Sequence, residues 1–179
     1  MLKEFFDKLD AILKKNGMDS CAESLGIKGA VSYRLTGPDG QLKQWGVFHN
    51  LVNSTGDMWI AQYLASSIVG DTRSLWAELG VSTIAPVKGS TGVNSLIATS
   101  SLAVSAAYPV RVTSHSGAGE WTLWRFSWGA GVTTNGSIGE VGMRTQAGSF
   151  IAHALISPVV NKASGDTLTC DWGIKYLGA

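Results

Sequence analysis

Charge is scarce in this chain: 14 Lys and Arg stand against 13 Asp and Glu, leaving 15% charged residues and a net charge of +1. An ordinary globular protein carries roughly 25%. Proteins that hold duplex nucleic acid neutralise its phosphates with a basic stripe, and here the cations are spread thinly among the acids, so nucleic acid is not an expected partner. Long apolar runs are missing as well. No stretch approaches the ~20 apolar residues of a membrane span, so no membrane partner is expected. The N-terminus has Glu4 and Asp7 within an amphipathic segment, which is not the pattern of a secretory signal, so export by the standard route is not expected.

Cysteine is nearly absent. Cys21 and Cys170 lie near opposite ends of the chain, with no Cys or His at metal-ligand spacing, so no zinc site is expected. Both read as small buried hydrophobes rather than as a disulfide.

Motifs of chemistry are missing too. The sequence has no phosphate loop, HExxH, GxGxxG or CxxC, and Gly136-Ser137-Ile138-Gly139 lacks the leading glycine of a nucleophile elbow. Glu78, Glu120, Glu140 and Asp171 offer carboxylates in the β region. Two of them converging across a cleft would make a small glycoside hydrolase, but their spacing pairs none of them, and solvated or hydrogen-bonded structural roles are expected. His49, His115 and His153 fall in separate segments without a ligand-like pair and read as ordinary strand or loop positions. The chain is therefore read as non-enzymatic, with no cofactor, no metal and no catalytic residue.

Glycine, by contrast, is plentiful at 22 of 179 residues, and this length suits one domain with its own hydrophobic core. The first 26 residues form a piece apart. Leu2, Phe5, Phe6, Leu9, Ile12 and Leu13 recur at helical spacing, which predicts an amphipathic helix over residues 2–15 ending at Asn16-Gly17. That stripe has two readings: it folds back on the domain's own sheet, or it docks on neighbouring subunits as an assembly interface.

From Ile27 the period shifts from 3.6 to 2 and predicts a strand over residues 27–36. Gly37-Pro38-Asp39-Gly40 is a turn signal that sends residues 41–49 back as a hairpin. Ser54-Thr55-Gly56-Asp57 resembles a capping box opening a helix, with Trp59, Ile60, Tyr63, Leu64 and Ile68 on one face and Gly70 as its stop. Residues 75–81 resume as a strand, and residues 82–95 form a loop of Pro, Gly, Ser and Thr.

Further strands are predicted over 121–128, 137–145, 149–156 and 167–176. In the first of these, Thr122, Trp124, Phe126 and Trp128 share one face and Trp121, Leu123, Arg125 and Ser127 the other, with both substantially covered. In the last, Leu168, Cys170, Trp172, Ile174 and Tyr176 form one apolar face. Trp124 and Trp128 are expected in the core; Trp45, Trp76 and Trp121 are less certain and are candidates for lining a sugar-binding groove. Ile138 to Met143 is expected to use Gly139 and Gly142 for close backbone approach and to place Glu140 at a turn or edge, and residues 162–166 are expected to form a surface turn. The fold class is thus mainly β: a jelly-roll-like antiparallel β-sandwich spanning 27–179, with one internal helix and an N-terminal helical arm at 1–26.

Three segments in order then resemble a group of bacteriophage structural proteins found as capsid decoration, tail and fibre-associated components. They are Asn50-Leu51-Val52-Asn53-Ser54-Thr55-Gly56, Leu79-Gly80-Val81-Ser82-Thr83-Ile84-Ala85-Pro86 and Ser137-Ile138-Gly139-Glu140-Val141-Gly142-Met143, with residues 161–172 as a closing segment. The resemblance spans about residues 50–176. It implies a virion protein, assembled in the host cytoplasm, whose partners are other capsid or tail subunits and copies of itself, a trimer being one form. A compact accessory subunit such as a capsid decoration or cement protein fits best, because neither a heptad nor a β-helical fibre shaft is present. The alternatives are a tail or fibre-associated glycan-binding module and, behind it, the small glycoside hydrolase.

Overall fold

Strict alternation gives most of this chain no stable helical face, and it folds as antiparallel strands. In the computed structural model, residues 27–64, 75–113, 120–133 and 136–176 are described. In chain order they form β1 (Ile27–Thr36), β2 (Leu42–Val52), α1 (Ser54–Leu64), β3 (Leu75–Gly80), β4 (Leu102–Ala103), β5 (Val110–Thr113), β6 (Glu120–Trp128), β7 (Gly136–Thr145), β8 (Phe150–Lys162) and β9 (Thr167–Tyr176). The arm at 1–26 and its stripe Leu2, Phe5, Phe6, Leu9, Ile12 and Leu13 lie outside the described residues, as do Cys21 and His115.

The class is the expected one, mainly β with antiparallel pairing and a sandwich-like core. All nine strands belong to one sheet, in the order β4-β3-β7-β8-β2-β1-β9-β6-β5, which curls into a half-barrel. The bend falls in β2. Its length from Gly29↔Asn50 to Thr36↔Leu42 pairs with β1, while Leu51 and Val52 turn to pair with His153 and Ala152 of β8. The halves on either side of this bend face each other.

Side-chain alternation fills the space between them. Val31, Tyr33 and Leu35 of β1, Trp124, Phe126 and Trp128 of β6, and Leu168, Cys170, Trp172 and Ile174 of β9 meet Leu75, Ala77 and Leu79 of β3, Ile138, Val141 and Met143 of β7, and Ala154, Ile156 and Val160 of β8. Each large side chain buried here contributes on the order of 1.5–3 kcal/mol. The indole of Trp128 also donates to Ser100 O at 2.5 Å, so this bulky group closes the open side without leaving its N–H unpaired. On the same side, Ser105 N donates to Arg125 O at 2.7 Å.

Several local expectations change. The hairpin turn forms as read, with Gly40 at φ 78° and its N–H donating to Gly37 O. β2 and β8 run further than the alternation implied, to Val52 and Lys162. β4 and β5 fall between the expected loop at 82–95 and the strand at 121–128, where no strand is predicted, because strands of two and four residues are too short to show a period. At the start of α1, Asp57 N donates to Asn53 O and the Ser54 hydroxyl points to Lys88 O at 3.4 Å. The expected capping box is therefore absent: Ser54 and Asp57 serve the neighbouring loop instead.

Candidate functional site

Where Trp76, Glu78, Glu140, Arg144 and His153 lie, the outward face of β3, β7 and β8 is covered. Residues 81–101 lie across it, with α1 alongside, Gly56 fitting so closely that an added Cβ would strike Ile151 O. Between this cover and the sheet lies a layer of charged side chains, an unusual filling for an interior, where each charge needs a partner.

Glu140 is at its centre. Expected at a turn or edge, it lies mid-strand in β7 between β3 and β8 and is 0% exposed. The flanking glycines make room: a Cβ at Gly80 would strike its carboxylate, and Gly139 sits equally tightly under Ser82 O. Glu140 Oε1 accepts from Ser95 N at 3.0 Å, and Oε2 accepts from Asn94 N at 3.1 Å and Asn94 Nδ2 at 3.4 Å. His153 Nε2, also 0% exposed, stands 2.7 Å from Oε2. Two successive loop amides aimed at one carboxylate form a strong, charge-assisted anchor.

Other contacts tie down the rest of the loop. Arg144 pairs with Glu78 at 3.3 Å, lies over the Trp76 ring at 5.5 Å and donates to Ser101 Oγ at 2.9 Å. Asn53 Nδ2 donates to Ser90 O at 2.8 Å, and Lys88 Nζ reaches Val52 O at 2.7 Å and Asp57 Oδ2 at 2.6 Å. Ser100 Oγ bonds both Leu79 N and Leu79 O, at 3.0 and 3.2 Å. Val52 and Asn53 thus hold the middle of the loop at Lys88 and Ser90, Glu140 holds it at Asn94 and Ser95, and Arg144 with Glu78 ties its far end at Ser101.

Three of the four carboxylates have a basic partner. Glu78 is paired with Arg144 and Glu140 with His153, while Asp171 takes a bidentate contact from Arg125 at 2.6 and 2.8 Å on the outward face of β9. The hydrogen-bonded part of the structural reading therefore holds for these three, and no two of them share a partner. Glu120 begins β6, its backbone opposite Tyr176. His153 is likewise no ordinary strand position, because it is buried against a carboxylate; His49 stays an ordinary position of β2 opposite Ala30. Sequence reading missed the Glu140–His153 pair because the two residues are 13 apart and meet only through strand register. The buried charge of Glu140 had one visible sign, its position between two glycines in a β pattern.

The tryptophans divide as follows. Trp121, Trp124 and Trp128 are buried, Trp76 lies under Arg144, and Trp45 is 51% exposed on β2. Among the exposed large apolar side chains of the described residues Trp45 is the one aromatic, so no cluster of exposed rings forms a sugar platform there. Among the described residues no three His, Cys, Asp or Glu side chains come together as a metal site. Cys170 is free and buried in the core, and burial, followed by the nearby Asp171 charge, pushes its thiol far above the ordinary range. Residues 163–166 do form the expected turn, but its flanking Lys162 and Asp166 are buried, Lys162 donating to Gly129 O at 2.9 Å and Asp166 taking Lys43 Nζ at 3.0 Å.

The outer loop surface is different in kind. Four of the eight exposed large apolar side chains of the described residues, Val81, Ile84, Val87 and Leu96, are on residues 81–97. The single charged side chain in that stretch, Lys88, is engaged by Asp57. What the arrangement offers chemically is a fixed, uncharged, partly apolar surface. No protein family, curated protein or solved structure matches this chain.

Proposed function

We propose that this chain is a structural subunit of a bacteriophage virion, most simply a capsid decoration or accessory protein that works by assembling with copies of itself and with other virion proteins. The observation that carries the reading is the loop at 81–101. Residues of the three segments resembling phage structural proteins meet at it, and polar side chains of these segments and of their neighbours Glu78, Arg144 and Asp57 fix a loop whose outward surface is partly apolar and carries one charged side chain, Lys88. A surface held in place before contact loses little conformational entropy on docking, which suits many weak contacts repeated over a lattice. The stripe Leu2, Phe5, Phe6, Leu9, Ile12 and Leu13 is a second candidate assembly surface. No cofactor enters this function.

Light scattering on the purified full-length chain, alone and with capsids stripped of accessory proteins, tests the proposal. A defined oligomer that binds those capsids is the expected result. A monomer that ignores them overturns the decoration reading and directs attention to tail particles and glycans.

A further inference from the structure

The Glu140–His153 pair holds the loop with a fixed number of protons. As a carboxylate, Glu140 accepts from the Asn94 and Ser95 amides and from His153 Nε2–H. His153 Nδ1 is then a bare lone pair. It is buried, has no protein partner and lies in the ring that meets Phe150 edge-on at 5.8 Å. An unmet acceptor of this kind is tolerable, whereas an unmet buried N–H costs the desolvation of a donor.

Adding one proton removes that balance by every route. An imidazolium beside the carboxylate puts an N–H on Nδ1. A carboxylic acid donating from Oε2 to Nε2 requires the other tautomer, which again puts the N–H on Nδ1. A proton on Oε1 faces the Ser95 N–H, donor against donor. The strands are held in place, since β7 and β8 pair on both sides of the irregularity between Ile138 and Glu140. Asn94 and Ser95 can yield, because they are attached to Glu140 by two backbone amides and the Asn94 side chain, and their departure lets water reach both residues.

We propose that Glu140 and His153 form an acid-sensitive latch: uptake of one further proton by the pair releases the Asn94–Ser95 stretch of the loop from Glu140 while the core between the two halves stays folded. The other charged groups around it are already matched. On β3 and β7 these are Glu78 and Arg144, paired with each other, and at the rim Lys88 of the loop pairs with Asp57 of α1. Residues 150–160 of β8 contain no other charge. The latch stands on this geometry whether or not the chain is a virion subunit.

The test is backbone amide exchange in the full chain between about pH 7 and pH 4, the span in which free imidazole and carboxyl groups take up protons, corrected for the intrinsic pH dependence of exchange. Protection at Asn94 and Ser95 is expected to fall by about tenfold or more relative to Phe126 and Trp172, as in a local opening. His153→Gln, which keeps an N–H donor for Glu140 and cannot titrate, is expected to flatten that fall. Protection that is insensitive to pH, that falls equally in His153→Gln, or that is lost together with the core amides overturns the latch. Should His153→Gln not fold, the ring Cε1–H resonance of His153 in the unaltered chain decides: its titration midpoint must coincide with the loss of loop protection, and separate midpoints overturn the proposal.

Discussion

The two faces of the β3-β7-β8 half are built on opposite principles. Inward, Leu79, Val141, Met143 and Ala154 meet Trp124, Phe126 and Trp172 in a layer held by apolar burial. Outward, Glu78, Glu140, Arg144 and His153 lie beneath a loop, and each interaction there is a directed contact between named atoms. Apolar burial is large and indifferent to direction, so it stabilises the sheet as a whole. Charge-assisted hydrogen bonds contribute less net energy but specify position, which is what a long loop without its own periodic structure requires. One strand serves both purposes because its side chains alternate.

The comparison is broken most severely from the inward side. Trp172→Ala removes a fully buried indole from the centre of the core and is expected to cost about 3–5 kcal/mol, read as a lower urea midpoint with core and loop unfolding together. A smaller change sharpens the contrast. Gly142→Ala places a methyl group against the Phe150 ring and Val93, beneath the loop rather than in the core. It should cost about 1–3 kcal/mol by overpacking and, by amide exchange, weaken protection at residues 93–95 more than in β6 or β9.

The smallest expected effect lies in the other half of the sheet. Lys43 first, then the Ala163 amide and the charges of Lys43 and Lys162, hold the Asp166 carboxyl below its ordinary range against the opposing effect of burial. A carboxylate lowered on folding contributes stability that is present above its unfolded value, about pH 4, and lost as pH falls through the folded value. Lys43→Met is therefore expected to lower the urea midpoint modestly at pH 6 and to converge with the unaltered chain near pH 2. Curves that stay parallel throughout would remove Lys43 as the cause.

Much of this molecule was legible before its structure. Alternation marked β1, β6, β7 and β9 closely, because a half-buried strand must repeat every two residues, and the apolar face of β9 is the core face it was expected to be. The Gly37-Pro38-Asp39-Gly40 turn followed from backbone restriction alone. Composition likewise showed a chain short of charge, whatever its fold.

The tertiary structure decided what depends on residues distant in sequence. That the two layers belong to one curled sheet depends on where β2 changes partners, a choice that local pattern leaves open. That Ser54 and Asp57 serve a loop rather than a helix cap depends on Lys88, more than thirty residues away. In their own strands Glu140 showed only its neighbouring glycines and His153 no sign at all. Register brings them together under the loop, and a buried charge acquires its role from the groups that surround it rather than from its neighbours in the chain.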